Sequence, residues 1–202
     1  MVLLIAPLAA VPRRERLTTG SVHHVLRSLM AEDCRRVYLA IRMARPGGVG
    51  KVDSMDIADT PPTDLLAAMR AAAERDLVAR QYAEDFRIVL GEALPALIAG
   101  RERGWSLTDA IVHTHLWLIA RYGDSLIQRK GGSDLSSKAA LHAERVLAAG
   151  NPGDEAYLDA VAGFDFWLRA DGNRRNPGTT ADLLAAALFA GLRDALLAPP
   201  WT

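Results

Sequence analysis

No segment of this 202-residue chain shows its apolar positions in sustained alternation with a period of two. They recur at spacings of three and four in runs rich in alanine and leucine, and short clusters of Gly, Pro, Ser, Thr and Asp separate the runs. A sheet with one wet face needs the missing alternation, so we expect an all-α fold: a helical bundle forming a single domain over residues 1–202. At 50% hydrophobic residues the chain has enough apolar surface for a sizeable core. Charge excludes two classes of partner. With 24 cationic and 24 anionic side chains there is no global field to draw the protein to nucleic acid or to an anionic membrane, so any anion site must be local. The single cysteine, Cys34, rules out an internal disulfide or a cysteine-rich metal cluster and fits a packed thiol.

The opening MVLLIAPLAAV lacks a basic segment before it and is too short to span a bilayer. It reads as a core helix interrupted by Pro7 and ended before Pro12, in a cytoplasmic protein. Residues 21–44 suit two short helices or one kinked helix. The run 45–62, RPGGVGKVDSMDIADTPP, cannot continue a helix and is the longest loop. Thr63 is placed to cap a helix over 64–90, either one long helix or two joined near Glu74. Arg75, Asp76, Arg80, Gln81 and Asp85 could share one face of it, which a solvated, salt-bridged face would also explain. Ser106 opens a helix with Asp109 in the capping-box position; its His113 and His115 lie two apart, the wrong spacing for a metal pair on one face. Further helices are expected over 133–149, 154–170 and 180–197. The second of these carries Tyr157, Phe164, Phe166 and Trp167 as core aromatics.

Two polar stretches carry the candidate chemistry. The first is DGNRRNPGTTADLL, 171–184. Pro177 biases Asn176 away from helix, Gly178 permits a tight reversal, and Thr179 or Thr180 can cap the helix that follows. Its first backbone N–H groups would then face the loop and suit a phosphate, with Arg174 and Arg175 adding charged forks. Asp182 in the first turn could hold a magnesium ion beside that phosphate. The same residues also make an ordinary turn and cap. The second stretch is DSLIQRKGG, 124–132: a carboxylate, Asp124, then Arg129 and Lys130, then Gly131 and Gly132, whose amides can approach a ligand closely. It is not a Walker loop, because the lysine after a spaced glycine pair is absent.

Four stretches together resemble the triphosphoribosyl-dephospho-CoA synthases, in a branch similar to proteins of tetrahydromethanopterin-linked one-carbon metabolism. They are AIRMARPGGVGKV around Arg45, RDLVARQYAEDF from Arg75, DSLIQRKGG from Asp124, and NPGTTADLLAAALF from Asn176. The resemblance implies a helical protein with polar loops gathered at one end. It further implies an ATP-dependent transfer of a triphosphoribosyl group to a hydroxyl of dephospho-CoA, or a related coenzyme precursor, with release of adenine. The family's Asp-Thr-Asn and Arg-Gly-Gly loop is matched by Asp124, Ser125, Arg129, Gly131 and Gly132; its Pro-Gly-Gly-Ser-Ala-Asp loop is matched by Pro177, Gly178, Thr179, Thr180, Ala181 and Asp182. There are departures. Ser125-Leu126 replaces Thr-Asn, Lys130 is inserted beside Arg129, and Arg174 stands where an asparagine is expected. Lys-Pro-Gly and Asn-Thr-x-x-Gly segments that open family members do not occur, so the chain reads as the C-terminal portion of a longer family fold.

By this resemblance Arg45, Arg129, Lys130, Gly131, Gly132, Arg174, Asn176, Pro177, Gly178, Thr179 and Thr180 bind nucleotide phosphates. Asp124 and Asp182 share the roles of catalytic base and magnesium ligand, with Mg2+ accompanying ATP or another phosphoribosyl donor. The expected partners are a nucleotide and a coenzyme precursor. A homo-oligomer or a partner chain could supply the missing segments, and the rival reading is a non-catalytic nucleotide-binding or partner subunit of a split enzyme.

Overall fold

The structure, a computed structural model, describes residues 1–44 and 57–198. Among the described residues the regular structure is helical, with no strand. Eleven α-helices follow one another: α1 Val2–Ala10, α2 Thr19–Arg27, α3 Ala31–Ala44, α4 Leu65–Ala72, α5 Leu77–Ala83, α6 Leu94–Glu102, α7 Leu107–Tyr122, α8 Ser125–Gly131, α9 Ser133–Ala148, α10 Glu155–Arg169 and α11 Gly178–Arg193. A π-helical turn, Val89–Ala93, leads into α6.

Helix α7 is the partition between two cores, because its apolar residues cover opposite faces. Ala110 and Leu118 join a core with α1, α2, α4, α5, α6 and α11, whereas Leu116 and Ile119 join one with α8, α9 and α10. A helix apolar on both sides must be buried on both.

The expected interruption at Pro7 does not occur; α1 runs through it. Proline lacks the N–H that would bond the carbonyl four residues earlier, so the Leu3 carbonyl is orphaned. The Tyr82 hydroxyl fills the gap, donating to Leu3 O at 2.6 Å. Burial raises the Tyr82 phenol pKa well above its usual range, so it remains a donor. The segment after α1 is held by the end of α11. Arg193 donates to the carbonyls of Val11 at 2.7 Å, Pro12 at 2.9 Å and Glu15 at 3.0 Å, while Asp194 accepts from Leu17 N at 2.7 Å. Arg193 and Asp194 also pair with each other at 2.6 Å.

Several expected boundaries move. Asp64, not Thr63, caps α4, accepting from Ala67 N at 3.1 Å. The run to Leu90 is broken twice, first by Asp76, which caps α5, and then at Asp85 and Phe86, with φ of 51° and 61°. Two successive non-glycine residues in the left-handed region cost energy. Gln81, fully buried, offsets that cost: its side chain donates to Leu77 O and accepts from Val89 N, while its carbonyl accepts from Phe86 N. Stretch 124–132 is a short helix rather than a loop. In α10, Tyr157 and Phe164 are core, but Phe166 is 75% exposed.

A junction of three helix starts

The starts of α5, α8 and α11 meet, and their orphaned amides draw two carboxylates. Asp76 Oδ1 accepts from Val78 N at 2.8 Å and Ala79 N at 3.3 Å, capping α5. Asp124, only 1% exposed, caps two helices at once. Its Oδ1 accepts from Leu126 N at 2.8 Å and Ile127 N at 3.1 Å, at the start of α8. Its Oδ2 accepts from Thr180 N at 2.7 Å and Thr180 Oγ1 at 2.9 Å, in the first turn of α11. Three amides, one hydroxyl and two helix dipoles compensate for the burial of this side chain.

Hydroxyls complete the floor of the junction. Ser125 Oγ accepts from Leu77 N at 3.3 Å and pairs with Thr179 Oγ1 at 3.1 Å, linking all three helices. Ser136 Oγ accepts from Asp124 N at 3.0 Å. From α7, His115 Nε2 lies 3.0 Å from Thr180 Oγ1. Burial lowers the His115 pKa, while the Asp124 carboxylate and a backbone contact with Pro177 pull the other way. Spacing alone does not identify His115, because the partner that matters, Thr180, is 65 residues away. Its neighbour His113 instead stacks on Tyr157 and contacts Trp105.

Beside this floor, residues of α5 and α8 line a cleft of about 50 Å³. Asp76, Leu77, Arg80, Tyr122 and Ser125 form its walls, and Glu74, Arg75 and Gln128 stand exposed at its rim. Neither Glu74 nor Arg75 has an ion-pair partner among the described residues. Arg80 pairs with Glu84 at 3.2 Å.

The predicted phosphate ligands are differently placed from one another. Arg129 is held by Asp76 at 2.6 Å, with its Nε buried and unpartnered. Lys130 donates to Asn173 O at 2.8 Å, tying α8 to the loop before α11. Gly131 ends α8, and Gly132, at φ 87°, stands at the α9 start. Arg174 is exposed, 3.6 Å from Asp171, and Asn176 is exposed too. Arg175 lies over the Trp167 ring at 4.4 Å and donates to Trp167 O at 2.9 Å. Arg45 lies outside the described residues.

Pro177, rather than either threonine, occupies the α11 cap position, and it supplies no side-chain bond. Thr179 and Thr180 are buried inside the first turn. The anion at this helix end is therefore Asp124 itself. Gly178 makes no reversal but sits close against α8: a Cβ there would come within 2.7 Å of Leu126 Cδ2, so that side chain would have to shift. Asp182 is partly exposed and sits 2.7 Å from the Met1 amino nitrogen.

Of the two aspartates offered as magnesium ligand, Asp124 does not fit the role in this arrangement. All four carboxylate lone-pair sites of Asp124 are already used. No group of three or more His, Cys, Asp or Glu side chains gathers among the described residues, whereas a magnesium ion carried by substrate phosphates needs only one or two carboxylates.

Among solved structures, the chain is similar to a protein from Archaeoglobus fulgidus provisionally described as a triphosphoribosyl-dephospho-CoA synthase. The identity is 24% and the TM-score 0.72, over 95% of this chain and 80% of that one, so the two share a fold. No curated protein matches the chain. The model of the CitG family, ATP:dephospho-CoA triphosphoribosyl transferase, matches residues 1–199. The chain belongs to that family.

Proposed function

We propose that the chain transfers a triphosphoribosyl group from ATP to a hydroxyl of dephospho-CoA or a related coenzyme precursor, at the cleft between α5 and α8. The observation that carries this reading is the contrast of a saturated polar floor with an exposed rim bearing unpaired Glu74 and Arg75. A cleft of about 50 Å³ has room for a phosphoryl group and a water, not a nucleoside, so the rest of the donor would lie outward across the rim.

In the reaction the bond between the anomeric carbon and adenine breaks, and a bond from the acceptor oxygen to that carbon forms. The acceptor loses a proton and the departing adenine gains one. The transition state carries oxocarbenium character, so its rate depends on alignment and on placing negative charge close by. Arg75, with Arg80 and Arg129 behind it, orients the polyphosphate. Asp124 acts as an organiser of the helix starts. The carboxylates offered as base are Glu74, exposed at the rim, and Asp182, partly exposed and paired with the Met1 amino group. Magnesium enters with the polyphosphate as part of the donor.

The test is release of free adenine from ATP in the presence of dephospho-CoA, followed by chromatography. Adenine formation dependent on the acceptor supports the reading. The one-carbon branch suggests phosphoribosyl pyrophosphate as a second donor, and pyrophosphate release would reveal it; no product from that donor counts against it. The internal pairing of Arg129 and Lys130 favours a second reading, a subunit that binds nucleotide without turnover. Saturable ATP binding with no adenine released would establish that alternative.

A further inference from the structure

Thr180 Oγ1 has one proton and three neighbours that could take it: Asp124 Oδ2 at 2.9 Å, Pro177 O at 3.1 Å and His115 Nε2 at 3.0 Å. Only one assignment leaves no clash. If His115 carried its proton on Nδ1, the bare Nε2 would compete for the threonine proton. Oγ1 and the ionised Oδ2 would then face each other at 2.9 Å with no hydrogen between them. A proton on Nε2 removes the conflict: the imidazole donates to Oγ1, and Oγ1 donates to the carboxylate. Both bonds lie in a buried setting where an unmade bond is costly.

We infer that His115 is a positioning residue: as the Nε2–H tautomer it commits the Thr180 hydroxyl to Asp124 and thereby fixes the register of α11 against α8. Helix α7 thus joins the junction through His115, which is not among the residues lining the cleft. His115 does not touch substrate in this arrangement. Its effect on turnover rests on the transferase reading, through the placement of Ser125 and the adjoining α5 start, whereas the tautomer does not depend on that reading.

The test has two parts. Long-range proton–nitrogen correlation spectra of the native protein, assigned with a His115→Gln sample, should show the His115 proton on Nε2; a proton on Nδ1 overturns the inference. In the adenine-release assay, His115→Gln keeps a donor near Nε2 and should hold kcat within about threefold of native, whereas His115→Leu should lower kcat by about 10- to 100-fold with KM little changed. Native kcat in His115→Leu, or equal loss in both variants, overturns it. If His115→Leu does not fold, the spectrum of the native protein decides. A native protein that releases no adenine counts against the transferase reading, and the tautomer still decides for or against His115.

Discussion

The floor of the α5–α8–α11 junction and the rim of the adjoining cleft draw on the same residue types and use them in opposite ways. On the floor, Asp124, Ser125, Thr179 and Thr180 are buried, and every one is engaged in hydrogen bonds to another helix. At the rim, Glu74 and Arg75 are exposed and have no ion-pair partner among the described residues. A polar group that is buried and saturated contributes to architecture and has no capacity left for a ligand. A charged group kept in water beside a cleft is still available. On the proposed reading, the buried residues hold the cleft in shape and the exposed ones are left to meet a ligand.

The sharpest way to break that division is Asp124→Ala. It removes a buried charge and strands four donors, so we expect a loss of about 3 kcal/mol or more. For a chain of this size that corresponds to roughly 6–12 °C in Tm, read by calorimetry. A native Tm would mean the floor is not structural. Ser125→Ala should cost about 1 kcal/mol, because Leu77 N and Thr179 Oγ1 lose a shared partner; urea midpoints would show it.

Acid should act on the same floor. The folded-state pKa of His115 lies below its ordinary value, so between that value and about 6.5 the unfolded chain binds more protons. Stability is then fully present above about pH 6.5 and falls as pH drops through that window. His113 and His142, also lowered by burial, slope in the same direction. His115→Gln should flatten the curve by one histidine's share, and an unchanged slope would remove His115 from the account. At the rim the expectation reverses. Arg75→Gln should change stability by less than about 0.5 kcal/mol. Its effect should fall on ATP affinity, weakened about tenfold in calorimetric titration by loss of one charge-assisted contact. A stability loss without an affinity change would erase the distinction between floor and rim.

The helical class was legible from periodicity, and caps were legible where a short polar side chain precedes an apolar run, as at Ser106. Errors arose where the deciding partner is distant in sequence. Pro7 looks like an interruption until Tyr82 is placed against Leu3. Asp85 and Phe86 look helical because their strain is relieved by the side chain of Gln81. The 124–132 stretch looks like a loop because its glycines and charges mask a seven-residue helix held by one carboxylate. Two polar stretches, 124–132 and 171–184, stood out in the sequence and meet at the junction floor, whereas the cleft rim at Glu74 and Arg75 carried no more signal than a solvated helix face. That Asp124 from one stretch neutralises the helix end of the other was not legible, since their spacing of 56 residues carries no periodic signal.

The clasp between Arg193–Asp194 and the segment after α1 bears on how the chain is made. A ribosome delivers α1 long before Arg193, so Val11, Pro12, Glu15 and Leu17 wait for the synthesis of all the intervening helices before their partners exist. Closing so wide a loop is slow, and the apolar face of α1 stays open meanwhile. Helices α9 and α10, which are sequence neighbours, can pair while the rest is still unfinished. Nascent chains arrested before residue 193 should accordingly leave α1 and the segment after it open to proteases and chaperones long after α9 and α10 are protected.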